Sequence, residues 1–226
     1  MEFTEVLRGR RMVRHYRPDP VPAETLRQVV RVVRRAPSAG FSQGHRLVVI
    51  TDPALRRQLA AVAEPWYLEH GHQPWISQAP VHIALGIREA SYHERYTEPD
   101  KLADNTEIPW PVPFWWFDAG ALFTLLQLAA IDAGLTTGFY SPAPPEQLDA
   151  LAKIAQLPDD VALAGILTLG YPAAPDAAPA RRLAARRKPL EELVVWRGIT
   201  TRAVRPPAGA APAGRADWLD HQLLVG

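Results

Sequence analysis

Leu26, Val29, Val30 and Val33 recur at i, i+3, i+4, i+7 with arginines on the opposite face, and this period predicts a helix over about 23–35. A short helix is expected over 2–8, ended by Gly9, and "RPDPVP" (17–22) is a proline-punctuated turn between the two. "RLVVIT" (46–51), "VHIALGI" (81–87) and "VALAGILTLG" (161–170) are apolar runs of strand length. Asp52 and Pro53 open a helix over 53–63, and a further helix is expected from about Pro145 to Ala155. The most apolar helix is expected over 119–133, N-capped by Asp118 and stopped by Gly134. "KPLEELVV" (188–195) reads as a short closing helix. Segment 88–117 is polar, then aromatic, without a convincing period. Helices alternating with fewer strands give a layered α+β domain over 1–199. From 200 to 226 an Ala/Pro/Gly-rich tail lacks core periodicity, as a flexible tail or a dimer arm would.

Composition narrows the classes of function. The chain has 226 residues, 47% hydrophobic and 22% charged, enough to bury a sizeable core. Its formal net charge of +1 gives no general attraction to nucleic acid. No cysteine is present, which excludes disulfides, thiol catalysis and cysteine-held metal centres. The stretch 119–135 is interrupted by Thr124, Gln127 and Asp132, and is expected to be a core helix with no membrane role. The N-terminus lacks the apolar region of a signal peptide, so a cytoplasmic location is expected.

The positive charge is placed unevenly. Arg8, Arg10, Arg11, Arg14 and Arg17 crowd one stretch; Arg181, Arg182, Arg186, Arg187 and Lys188 crowd another. Gathered guanidinium groups favour a dianion such as a phosphate, although a solvated basic surface has the same composition. The loop "APSAGFSQG" (36–44) is rich in small residues that let backbone approach a flat ligand, with Ser38, Ser42 and Gln43 as hydrogen-bonding groups. It matches neither a P-loop nor a GxGxxG fingerprint, and as a sequence it also fits a plain connection. His70, His72 and His93 match no metal-ligand spacing, and no metal is expected. In "IPWPVPFWWFDAG" (108–120), five aromatics and three prolines fill thirteen positions, as the wall of a cavity or the cover of a core or interface would.

Residues 10–52, "RRMVRHYRPDPVPAETLRQVVRVVRRAPSAGFSQGHRLVVITD", resemble the opening of the FMN-dependent nitroreductase family. "FDAGALFTLLQLAAIDAGLTTGFY", "ILTLGYP" and "RRKPLEELV" resemble that family's central helix with its flavin-contacting strand, its late strand and its C-terminal phosphate motif. The resemblance spans roughly 5–197 in the expected order. It implies a three-layer α/β/α sandwich with a mixed, mainly antiparallel sheet, in an intertwined homodimer that holds FMN at the subunit interface.

By the same resemblance, Arg10, Arg11 and Arg14 would hold the FMN phosphate, joined by Arg187. Pro37, Ser38, Ala39 and Gly40 would touch FMN from the other subunit, with Ser42 and Gln43 nearby; Thr137, Gly138 and Phe139 would offer backbone groups to the ring. Met12 stands where the family has Ser, and His45 where Trp is common. The related synthase that degrades FMN has Asp at the Met12 position, so its reaction is not expected. Tyr92, Arg95, Tyr96, Lys101, Trp110, Phe114 and Trp115 are the substrate-side candidates, and no side chain is assigned a catalytic role because the cofactor carries the chemistry. The function implied is electron or hydride transfer from NADH or NADPH to a flat nitroaromatic or quinone by a ping-pong mechanism. A biosynthetic dehydrogenase or oxidase, and a non-catalytic flavin sensor or store, are the alternatives.

Overall fold

The structure is a computed structural model that describes residues 1–173 and 186–197. The chain divides into two units, Met1–Ala173 and Ala174–Gly226. In the first, α1 (Phe3–Gly9) and α2 (Ala23–Val30) precede β1 (His45–Ile50), α3 (Pro53–Glu69), β2 (Val81–Ile87) and α4 (Ala90–Tyr96). Then come α5 (Phe114–Asp132), β3 (Thr136–Tyr140), α6 (Pro145–Ile154) and β4 (Ala162–Gly170). The second unit contributes α7 (Leu190–Leu193), where Lys188 pairs with Glu192. Arg181, Arg182 and the expected tail at 200–226 lie outside the described residues.

The four strands run in the order β1-β2-β4-β3, and every neighbouring pair is antiparallel. A single parallel bridge, Met12 to Thr137, adds the N-terminal arm to the outer edge of β3. The sheet is buried on both faces, in keeping with the mostly apolar β2 and β4, whose polar residues His82 and Thr168 are themselves buried and hydrogen-bonded. Ala84 and Ile166 point to a layer with Leu59, Ala60 and Ala63 of α3 and Leu151 of α6. Ile83, Leu85, Leu167 and Leu169 point to the other layer, with Leu26 and Val29 of α2 and Leu122, Leu126 and Ala130 of α5. Three layers result: α3 and α6, the sheet, and α2 with α5.

A helix that the sequence reading did not expect, α4, forms within 88–117, and three expected elements depart from their bounds. The helix expected over 23–35 tightens after Val30 into a 3₁₀ turn, Arg31–Arg35. The helix expected to stop at 63 runs to Glu69 through Pro65, because its far end is anchored by Glu64. That buried carboxylate accepts the backbone N–H groups of Trp75, Ile76 and Ser77 at 2.7, 2.6 and 3.0 Å on one oxygen. The third departure is α5. It begins at Phe114, five positions before the expected helix, and Asp118 is an interior residue rather than its cap. Asp118 faces the fold and finds partners there, so the first turn forms on the Phe114–Phe117 aromatics instead. Gly134, at φ +76°, ends the helix in the left-handed conformation, and Leu135 N–H closes onto Ala130 O at 2.9 Å.

By length and composition α5 is apolar enough to cross a membrane, yet Leu122, Leu126 and Ala130 are fully buried against the sheet. Its opposite face is another matter. Phe117, Gly120, Ala121, Thr124 and Leu128 stay exposed or half-exposed, and Phe117 retains 73% of its surface.

The arm from Arg10 to Arg17 is held by backbone and by one buried phenol. Val13 N–H donates to Thr137 O at 2.8 Å, and Arg17 N–H to Tyr171 O at 3.0 Å. Tyr16 is buried, with its hydroxyl 2.6 Å from Thr168 Oγ1 and 3.0 Å from Val13 O; burial pushes its ionisation far above the ordinary phenol range. Tyr16→Phe should lower unfolding stability by about 1–2 kcal/mol, since two neutral hydrogen bonds go while the ring remains. A urea midpoint equal to that of the wild type would refute this anchoring role.

Candidate functional site

The site residues fall into two neighbourhoods, both tied to α5. In the first, the loop 38–43 adopts a strained path. Gly40, Phe41 and Gln43 take φ of 60°, 63° and 51°, a region that costs a bulky side chain such as Phe41 about 1–3 kcal/mol. Phe41 is also 71% exposed, so no packing of its ring offsets the strain.

Local bonds hold the loop in place. Asp118 Oδ2 accepts Ala39 N–H at 2.9 Å, Ser38 Oγ accepts Gln43 N–H at 3.0 Å, and Ser42 Oγ donates to Ala39 O at 2.6 Å. Arg95 Nε donates to Gly40 O at 2.9 Å, and the Tyr96 ring lies so close to Gly40 that a Cβ there would meet it at 2.6 Å. His45 is buried beside the loop with Nε2 3.2 Å from Asp118 O, and burial pulls its pKa below the usual imidazole value.

The substrate-side candidates gather around the same loop. Tyr92 is fully buried and its hydroxyl donates to Asp118 Oδ2 at 2.8 Å. It therefore supports the loop from behind, and the expected substrate contact gives way to this role. Burial first, and then the Asp118 carboxylate, push the Tyr92 hydroxyl far above the usual phenol range. Arg95 is equally committed, to Gly40 O, Glu98 and Asp100, with Asp100 held down at about 2 by the guanidinium beside it. Lys101, whose ammonium lies 5.6 Å from the Tyr96 ring centre, is the less encumbered cation of the pair. Trp110 meets the rings of Tyr92, His93, Tyr96, Phe114 and Trp115. Trp115 is buried within that cluster, whereas Tyr96 and Trp110 are half-buried and Phe114 keeps 37% of its surface.

The second neighbourhood is the outer edge of β3. Arg10 and Arg11 are exposed, and no hydrogen bond or ion pair engages either guanidinium among the described residues. Arg14 places its guanidinium over the rings of Tyr67 and Trp75, 5.8 and 5.6 Å from their centres. The Met12 thioether accepts from Gln127 Nε2 at 3.3 Å, so this side chain is directed at α5. Gln127 also reaches Thr137 Oγ1 at 3.4 Å. Thr137 turns its carbonyl outward to Val13, and strand alternation turns the N–H and C=O of Phe139 to the same edge. Among the described residues, no backbone group outside the sheet bonds those Phe139 groups. Arg187 belongs to the second unit and is described there by itself.

Asp118 and Gln127, the two links between site and scaffold, escaped the sequence reading of the site. Their signal was a polar residue inside an apolar run. A group of three potential metal ligands does not occur among the described residues, and His93 is engaged by Glu107 and Glu89.

The donor set suits a phosphorylated planar cofactor. Cations without a partner among the described residues lie beside an open strand edge, and a separate strained loop carries small residues and backbone donors. Comparison with known proteins agrees with this. The chain is 30% identical over 209 residues to an NADH dehydrogenase of Thermus thermophilus, across 83% of this chain and 92% of that one. Among solved structures, a nitroreductase family protein from Streptococcus pneumoniae superposes with a TM-score of 0.64 at 19% identity, covering 87% of this chain and 100% of that one. Iodotyrosine deiodinase bound to FMN and 3-iodo-L-tyrosine gives 0.61 at 20% identity, covering 88% and 99%; both are likenesses of fold. The sequence profile of the nitroreductase family matches residues 7–171, from the end of α1 through β4, and the chain belongs to that family.

Proposed function

We propose that the protein is an FMN-dependent oxidoreductase that passes electrons from NADH or NADPH to a flat or aromatic small molecule, of nitroaromatic or quinone type. The observation that supports it best is the pair of guanidinium groups, Arg10 and Arg11, that have no partner among the described residues and stand on an arm fastened to the open edge of β3. Arg10 and Arg14 grip the cofactor phosphate, and Arg11 adds charge beside them. Past the point where the arm covers Thr137, the outward N–H of Phe139 would face the flavin ring, where such a donor favours the anionic reduced state. Bound there, FMN supplies the hydride and electron transfer, and the protein orients it and shields it from water. Donor and acceptor use one slot in turn, which gives ping-pong kinetics.

A homodimer fits the same features. Asp118 and Gln127 are nine residues apart on α5, so they stand about 13 Å apart along its axis and on opposite sides. One subunit then presents the loop 38–43 and the β3 edge in different places, and a second copy brings one loop to the other's edge. Pro37, Ser38, Ala39, Gly40, Ser42 and Gln43 would face the partner's flavin, and the apolar stripe from Phe117 to Leu128 would lie at the contact. Tyr96, Trp110, Phe114 and Lys101 form the acceptor side, an aromatic wall with one cation at its rim.

The purified protein should be yellow, bleach anaerobically with NADH or NADPH, and recolour on addition of menadione. Yellow protein that neither nucleotide bleaches would instead be a flavin-binding protein without turnover. Protein that takes up no FMN would sink the reading altogether.

A further inference from the structure

Trp110 has a polar tether that reaches α4. Its indole N–H donates to Glu107 Oε1 at 2.6 Å, and the same oxygen lies 2.6 Å from His93 Nδ1. His93 stands on α4, while Glu107 and Trp110 stand on the segment that leads to α5. That segment has little else to hold it. Among the described residues, 107–113 donate no backbone–backbone hydrogen bond, and three of these seven are prolines. Its position therefore depends on side-chain contacts, and Glu107 is the hub of the polar ones.

His93 is set between two carboxylates. Glu89 Oε1 lies 3.5 Å from its Nε2, opposite Glu107 on Nδ1, and the rings of Trp110 and Trp115 pack against it. These charges favour the imidazolium: the hydrogen bond to Glu107 is the largest cause raising the His93 pKa. Glu107 is held below the usual carboxylate range, first by the Trp110 indole and then by His93. The protonated ring donates from both nitrogens. A neutral ring has one N–H, so Glu89 loses its partner and the bond to Glu107 falls to roughly half its charge-assisted strength.

We propose that His93 is a positioning residue for the substrate wall: it pins Glu107, which fixes the Trp110 indole, so acceptor binding is tighter with His93 protonated than with it neutral. The latch is a property of the fold; its effect on the acceptor rests on the oxidoreductase reading above. Because the folded-state pKa of His93 is raised and that of Glu107 lowered, the charged latch holds below the His93 value for as long as Glu107 stays ionised, and it is lost as pH rises through the His93 value.

The test uses holoenzyme labelled with ¹⁵N-tryptophan. The Trp110 indole resonance, assigned by its absence in Trp110→Phe, should shift with pH in one step whose midpoint lies above the ordinary imidazole value. In His93→Gln the resonance should persist, because the amide still donates to Glu107, and its titration should vanish. The KM for menadione should rise about fivefold across the same midpoint in the wild type and stay level there in His93→Gln. An indole resonance that is flat in the wild type, or that still titrates in His93→Gln, would overturn the latch. An indole that titrates while KM does not would overturn the positioning role. Absence of turnover with either nucleotide would overturn the oxidoreductase reading, and the indole titration would still decide the latch.

Discussion

Arg10→Ala combined with Arg14→Ala should give a folded, nearly colourless protein whose FMN dissociation constant is raised at least about 100-fold. Each charge-assisted contact to a phosphate is worth about 1.5–3 kcal/mol, so losing two weakens binding by about 3 kcal/mol or more. The fold should tolerate the change. Arg10 is exposed and unpartnered among the described residues, and Arg14 loses only its approach to the Tyr67 and Trp75 rings, about 0.5–1 kcal/mol. Flavin content on purification and a fluorescence-quenching titration with FMN measure the effect, and a thermal melt of the apoprotein checks the fold. A double variant that keeps full flavin occupancy would remove these arginines from the phosphate site.

Asp118→Ala should cost about 3–5 kcal/mol of stability and loosen the loop 38–43. The buried carboxylate accepts two hydrogen bonds, from Ala39 N–H and the Tyr92 hydroxyl, and hydrogen bonds to a charged group contribute about 1.5–3 kcal/mol each. Truncation also strands both donors out of water, and it releases a segment whose left-handed residues Gly40, Phe41 and Gln43 store strain. For a chain of this size the melting temperature should fall by roughly 10 °C. Asp118→Asn should lose less, because its amide oxygen still accepts, while Tyr92→Phe should lose one bond and leave Ala39 held. Hydrogen exchange at residues 38–43 should quicken in the alanine variant. A loss below about 1 kcal/mol, with exchange unchanged, would mean that the loop is held by Arg95 and Ser38 instead.

The sequence was most legible where one force acted alone. The strand at 81–87 needed only a mostly apolar run of strand length, and Gly134 only a left-handed helix end, so both lie where the sequence predicts them. Boundaries were misplaced where a distant partner decided them. Pro65 and Asp118 carry local signals, a helix breaker and a cap, and both signals lost to tertiary contacts that link residues far apart in the chain. The candidate site follows the same division. The arginine run and the small-residue loop stand out as composition, whereas the buried Tyr92 and the fully engaged Arg95 owe their roles to neighbours that only folding brings near.

The strand order β1-β2-β4-β3 also governs how this chain is made. β4 lies between β2 and β3, so the middle of the sheet stays vacant until residue 170 has been synthesised. At about 5–20 residues per second, a ribosome needs roughly 10–30 s to reach that point. Through that interval β2 has one open edge, and the apolar α5 has no finished sheet to cover. Those seconds are when a chaperone would meet this chain, and a message that slows translation ahead of β4 would lengthen its exposure to aggregation.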